Sequence, residues 1–244
     1  MSPSPDHKNK HQENKQTGVA RHIATVREEI SRLELEHGRE PGSVQLLAVS
    51  KTKPTTLIRE AAATNQLDFG ENYADEGVEK SLELHELGLI WHYIGHIQSN
   101  KTKLIASHYD WVQGVDRLKI AKRLNEHRGT ELPPLNICIQ LKIDAEESKS
   151  GCTPEELEEL AACIADAPHL TLRGLMAIPA PRTDTASQRE VFRELHNWYQ
   201  KLRADHSTVD TLSMGMSGDM PAAIAEGATM VRIGTAVFGA REKR

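Results

Sequence analysis

Leu46-Leu47-Ala48-Val49-Ser50-Lys51-Thr52-Lys53-Pro54 is an apolar run that stops on a lysine and then a proline. Val44 to Val49 is short, aliphatic and bounded upstream by Pro41-Gly42, the mark of a buried strand. Pro54 ends the strand and suits the first turn of a helix. Lys51 therefore falls where a strand gives way to a loop. In folds built on a parallel sheet, that edge is where ligands bind. A lysine beside a dry core can lose its charge to desolvation, and the neutral amine attacks aldehydes. The plainer reading is a solvated lysine at a strand end, since surface lysines are common.

Outward from this stretch, the strand-then-helix unit repeats. Upstream, Val19, Ile23, Val26, Ile30 and Leu33 follow three- and four-residue steps, so a helix precedes the first strand and ends near Gly38. Downstream, strands are expected over 67–73 with its exit loop, 90–95, 111–115, 136–143, 170–178, 209–214 and 230–233. Helices are expected over 55–63, with Leu57, Ile58 and Ala61 on one side, and over 74–87, with Val78, Leu82 and Leu84 inward. Further helices span 101–107 and a stretch to 127 capped by Asp116. Residues 144–151 read as a polar loop. Thr153-Pro154-Glu155-Glu156 is a helix start, with a cap, a proline and an acidic first turn. A long helix over 187–206 turns Val191, Leu195, Trp198 and Leu202 inward. Asp219 caps a last helix reaching Gly227.

Eight strands, each followed by a helix or helical turn and preceded by one extra helix, imply a parallel sheet. Closure into a single (β/α)₈ barrel fits the length of the chain. A doubly wound open sheet is the alternative. The barrel domain is expected over residues 18–244. Residues 1–17 hold almost nothing apolar and read as a disordered polar tail without a signal sequence.

The chain of 244 residues is 38% hydrophobic and 27% charged, enough for a globular core, while 4% aromatics makes that core aliphatic. A net charge of -5 argues against general nucleic-acid binding. Cys138, Cys152 and Cys163 form no CxxC pair, which suits a reducing cytoplasm. No apolar run approaches membrane-spanning length. No HExxH is present, so no metal site is expected.

In a barrel, Lys51, Asn72, His96, Met214, Ser217, Arg232, Gly234 and Thr235 would share the C-terminal rim. Phosphate sites in such barrels lie after the seventh and eighth strands. Here those loops are Gly215-Met216-Ser217-Gly218-Asp219 and Gly234-Thr235, where glycine admits an anion to backbone N–H groups and a hydroxyl adds a donor. Arg232, between Val231 and Ile233, needs an acceptor if it points inward. The ring nitrogen of pyridoxal phosphate would serve, and a carboxylate partner or an outward position are the alternatives. Asn72 could bond a ligand or shape its turn.

Together, Ala48–Pro54, Phe69-Gly70-Glu71-Asn72-Tyr73, Trp91–Lys101, Arg173-Gly174-Leu175-Met176, Leu212–Asp219 and Val231–Thr235 resemble the motifs of the pyridoxal phosphate homeostasis protein family, from about Val19 to Gly239. The resemblance implies a TIM-type barrel like the N-terminal domain of alanine racemases. It implies pyridoxal phosphate held as a Schiff base on Lys51, with Ser217, Gly234 and Thr235 at the phosphate and Arg232 at the ring nitrogen. Asn72 and Met214 match motif positions near the cofactor. Tyr93 and Ile97 stand where Phe and Leu are common in the family.

Alanine racemases carry a second domain that brings a tyrosine to the opposite face of the ring. No such domain is expected here, and two-sided proton transfer needs a group on each face. The expectation is thus a cytoplasmic, monomeric binding protein without catalytic residues. It would act in vitamin B6 balance and supply apo enzymes. A weak amino-acid racemase is the alternative. A metal-dependent or sugar-phosphate barrel enzyme using Lys51 as an aldolase-type base is a third.

Overall fold

The computed structural model describes residues 18–143 and 150–240. The expected polar tail, most of the expected 144–151 loop and the last four residues lie outside them. Among the described residues, β1 to β8 are all parallel and close into a barrel in sequence order. The open-sheet alternative is thereby excluded.

The strands are β1 (Gln45–Val49), β2 (Asp68–Glu71), β3 (Ile90–Tyr93), β4 (Trp111–Val115), β5 (Leu135–Gln140), β6 (Leu170–Met176), β7 (Thr211–Ser213) and β8 (Met230–Ile233). The helices are α1 (Gly18–Glu36), α2 (Thr55–Ala62), α3 (Ala74–Glu83), α4 (Thr102–His108), α5 (Leu118–His127), α6 (Pro154–Ala165), α7 (Thr185–Asp205), α8 (Met220–Ala225) and α9 (Thr235–Phe238). A 3₁₀ turn at His85–Leu87 follows α3.

Alternation along each strand builds two cores. Leu46, Ala48, Phe69, Val112, Ile137, Ile139, Leu212, Val231 and Ile233 face outward and pack beneath the helices. Leu47 and Val49 face inward and meet Ile94 and Met230. Gly70 leaves room for them: a Cβ there would stand 3.1 Å from Ile94 Cδ1 and 3.3 Å from Leu47 Cδ2. The seam between the first and last strands pairs Leu47 with Arg232 and Ala48 with Ile233.

α1 is an outer brace on that seam, packed against α2, α8 and α9. Its Glu34, 1% exposed, accepts from the amides of Gly42 at 3.0 Å and Val44 at 2.7 Å. This ties the brace to the entry of β1 and satisfies the buried carboxylate.

Three local expectations need correction. Leu82 is 60% exposed, whereas Leu84 is buried. Residues two apart on a helix sit about 200° apart, so both cannot face the core. α3 ends at Glu83, and Leu84 turns in beyond it. Trp198 on α7 packs against the core as expected, half-buried, with the Lys201 ammonium 4.2 Å from its ring centroid. Val191, Leu195 and Leu202 are buried as expected, and Phe192 and Tyr199 join them on α7. Asp116 does not cap α5: Arg117 is the N-cap, and the Asp116 carboxylate pairs with it. Asp219 is the N-cap residue of α8, as expected, but its carboxylate closes its own loop, accepting from the Met216 amide at 2.6 Å rather than from the helix. The Thr153 start holds: Glu156 reaches back to the Thr153 amide at 2.9 Å, half of a capping box.

Candidate functional site

The chemistry collects at the C-terminal rim. Lys51, half-buried, lies on the turn two residues beyond β1. That turn is fixed from three sides. Ser50 donates its hydroxyl to Glu71 Oε1 at 2.6 Å. Lys80 Nζ donates to the Ser50 carbonyl at 2.8 Å, to Glu71 Oε1 at 2.8 Å and to Glu76 Oε1 at 2.6 Å. Glu76 accepts from the Thr52 amide at 2.6 Å. Thr52 has φ 62°, the left-handed region that a non-glycine residue adopts only when its surroundings hold it there. Burial pushes the Glu71 carboxyl above its usual range, and the Lys80 ammonium opposes that rise. The staple on either side of Lys51 therefore consists of buried charge.

Lys53 closes the other flank. Its ammonium donates to the carbonyls of Phe238 at 3.1 Å, Gly239 at 3.0 Å and Ala240 at 2.8 Å. This ties the β1 exit to the end of α9, where a cation meets the negative pole of the helix.

Arg232 points inward and is 4% exposed. Its guanidinium donates to Ser213 Oγ at 2.8 Å and to the Ala177 carbonyl at 2.8 Å. Neither is a carboxylate, so among the described residues a buried cation faces neutral acceptors. Desolvation lowers its pKa to about 10. The outward alternative for Arg232 is excluded.

The Arg232 amide bonds the Gly215 carbonyl at 3.0 Å, which sets the loop after β7 against the exit of β8. Ser217 and Gly218 on the first loop and Thr235 on the second are exposed, and Gly234 is half-exposed. A Cβ at Gly218 would meet nothing within 4 Å, so its backbone faces open space. Met214 differs from the rest: it is fully buried and belongs to the cluster beneath the helices.

Asn72 lines a cavity of about 230 Å³ with Ile94, Gly95, His96, Gln140, Ser150 and Ile178. Its Oδ1 is buried and has no hydrogen-bond partner among the described residues. A second cavity adjoins at Asn72, Gly95 and His96, and adds Tyr73, Tyr93 and Lys101. Gly95 is fixed by close approach: a Cβ would stand 2.2 Å from the Asn72 carbonyl oxygen. The rim thus gathers a primary amine, an inward cation, an orphaned acceptor and two exposed glycine-hydroxyl turns. This donor set fits a phosphorylated aromatic aldehyde. Among the described residues no group of three or more His, Cys, Asp or Glu could hold a metal ion.

Sequence reasoning missed the staple and the cavity residues Gln140 and Ser150. Glu76 and Lys80 stand four apart on one helix, a pairing the sequence displays. Gln140 and Ser150 carried no signal.

A closed parallel barrel whose first strand leads to a lysine and whose last carries an inward arginine defines a class. The model of the alanine racemase N-terminal domain matches residues 21–242. Within that class, the chain belongs to the pyridoxal phosphate homeostasis protein family. It is 53% identical over 227 residues to the protein of that name in Escherichia coli K12, covering 92% of this chain and 97% of the relative. The Pseudomonas aeruginosa PAO1 protein of the same name is 54% identical over 224 residues, covering 92% and 96%. PipY of Synechococcus elongatus, solved with PLP bound, superposes with a TM-score of 0.78 at 35% identity, covering 91% of this chain and all of that one.

Proposed function

We propose that this protein binds pyridoxal 5'-phosphate at the barrel mouth and acts in intracellular homeostasis of that cofactor. Lys51 is its anchor and Arg232 the partner of the ring nitrogen. Ser217, Gly234 and Thr235 hold the phosphate. Asn72 offers the orphaned acceptor, and Met214 backs the site from the shell beneath the helices. Bound there, the cofactor supplies an aldehyde that a primary amine captures reversibly. The observation that supports the reading is the pairing of β1, which leads to Lys51, with β8, which carries the inward Arg232.

The residues define a holding site more than a reacting one. The staple fixes the Lys51 turn. A guanidinium at the ring nitrogen keeps that nitrogen unprotonated and so blunts the ring as an electron sink. Tyr93, beside the mouth, donates to the His96 carbonyl at 2.9 Å, and burial pushes its pKa up to about 12. It is poorly placed to serve as the second acid or base that a racemase needs. We therefore assign storage and supply of the cofactor to apo enzymes, without substantial catalysis, to a cytoplasmic monomer. No helix among the described residues is long and apolar enough to cross a membrane.

The test is a visible absorption spectrum before and after borohydride reduction, followed by peptide mapping. A yellow band fixed by reduction onto Lys51 is expected. No band after addition of pyridoxal phosphate would remove the functional reading. Turnover across an amino-acid panel, abolished in Lys51→Ala, would replace storage with catalysis.

A further inference from the structure

The barrel interior contains a line of polar side chains that the mouth does not explain. Arg232 Nη1 donates to Ser213 Oγ at 2.8 Å. Ser213 Oγ donates to Gln113 Oε1 at 2.6 Å. Gln113 Nε2 lies 3.0 Å from His92 Nδ1, and His92 Nε2 lies 3.0 Å from Asp68 Oδ1. The line draws on β8, β7, β4, β3 and β2. Arg232 is 4% exposed, and Ser213, Gln113 and His92 are fully buried. Asp68 opens β2 and lines a cavity at the opposite end of the barrel with Arg27 and Gln66.

The chemistry of the groups fixes the direction of every bond. A guanidinium only donates, so Ser213 accepts from Arg232 and passes its own proton to Gln113. An amide nitrogen only donates, so His92 Nδ1 accepts. The imidazole proton then sits on Nε2 and points at the Asp68 carboxylate. Met230 Sδ, a weak acceptor 3.2 Å from the same amide nitrogen, agrees with this orientation of Gln113. Reversing the amide would require a doubly protonated imidazole and leave Ser213 accepting from two donors. All four bonds therefore run one way, from a cation near the mouth to an anion at the far rim. Aligned bonds of this kind polarise one another in a low-dielectric interior.

We propose that Gln113 and His92 are positioning residues for Arg232, holding its guanidinium in one orientation through Ser213, with Asp68 as the remote counter-charge. The inference deepens the reading of Arg232 as the partner of the cofactor ring and rests on it. Its consequence is that the electronic setting of the bound ring depends on residues that never touch it. The line is also directional: a break at Gln113 severs Arg232 from Asp68, while Ser213 and Ala177 remain in place.

Two measurements test it. The first uses cofactor-free protein and side-chain ¹⁵N NMR. In the wild type, Arg232 is expected to show resolved, slowly rotating guanidinium N–H signals, and His92 the single tautomer protonated at Nε2. In Gln113→Leu both signatures are lost. The second is a double-mutant cycle read by pyridoxal phosphate titration and the position of the visible band. Gln113→Leu alone is expected to shift the band and weaken binding about tenfold, and to add nothing further in an Arg232→Gln background. Equal losses in both backgrounds, or an Arg232 spectrum unmoved by Gln113→Leu, would overturn the proposal. If Gln113→Leu does not fold by circular dichroism, His92→Phe, which breaks the same line one residue further from Arg232 and keeps an aromatic ring against Trp111, carries the same cycle. If the wild type binds no pyridoxal phosphate, the functional reading fails separately, and the cofactor-free spectra still decide the positioning.

Discussion

Arg232→Gln separates what the arginine does for the cofactor from what it does for the fold. Burial brings its pKa from the ordinary 12.5 to about 10, so enclosing the charge costs roughly 3 kcal/mol. Against this stand the bonds to Ser213 Oγ and the Ala177 carbonyl, both at 2.8 Å, each contributing about 1.5–3 kcal/mol as a charged donor. The two sides leave a balance of about 0–3 kcal/mol in favour of the arginine. Glutamine is shorter but keeps an amide donor. The cofactor-free variant should therefore unfold in urea within about 2 kcal/mol of the wild type. Affinity is different, because the proposed ring contact is a charged hydrogen bond that nothing replaces. A loss of about 1.5–3 kcal/mol corresponds to roughly 10- to 150-fold weaker binding. The assay is equilibrium titration of cofactor-free protein with pyridoxal phosphate, read at the visible band, beside urea unfolding of the same preparation. Unchanged affinity and an unmoved band, with the fold intact, would refute ring contact. A stability loss well above about 2 kcal/mol would refute the charge balance.

Other perturbations probe the supports of the site. Lys80→Met leaves Glu71 and Glu76 facing each other without their cation and should destabilise the protein by about 3–5 kcal/mol in urea unfolding; adding Glu71→Gln should restore part of that loss. Gly95→Ala sets a Cβ 2.2 Å from the Asn72 carbonyl oxygen. Backbone must move, so both cofactor affinity and melting temperature should fall, whereas Gly218→Ala, in open space, should leave melting temperature nearly unchanged. Glu226, at the C-terminal end of α8, is half-buried, which raises its pKa, but Arg189 and Arg193 outweigh burial and the net pKa is lowered. A depressed carboxylate contributes stability above its unfolded pKa, near 4.3, and loses it as pH falls through the folded value. Glu226→Gln should therefore cost about 0.5–1 kcal/mol at pH 7, and should flatten the decline in urea midpoint below about pH 4.5.

The barrel was legible because its signals are periodic and local. The run from Leu46 to Val49 turns alternate residues into two separate cores, yet both are apolar, so it reads as one buried strand. Rim placement followed from strand ends, which is why Lys51, Asn72, Ser217, Gly234 and Thr235 could be named together. Arg232 stood out because charge inside an apolar strand demands an explanation. What failed was decided by orientation. Leu82 fits a hydrophobic stripe by type but not by angle. Asp116 and Asp219 have the chemistry of caps, but a nearer arginine and a nearer amide claim them. His92 and Gln113 read as ordinary strand residues, because their partners come from neighbouring strands and from β7, 100 residues further along in the case of Ser213.

The seam between β1 and β8 also has a bearing on biosynthesis. Lys51 leaves the ribosome early and Arg232 late, with six strands made between them. No partial product brings both to one mouth, so the pocket arises in one step, when the last strand docks against the first. Such long-range pairing forms late, because the loop-closure cost precedes its reward. A nascent chain thus presents only a bare lysine to a reactive aldehyde. A ligand held by both strands, as proposed, would act as a latch, adding its binding free energy at the seam.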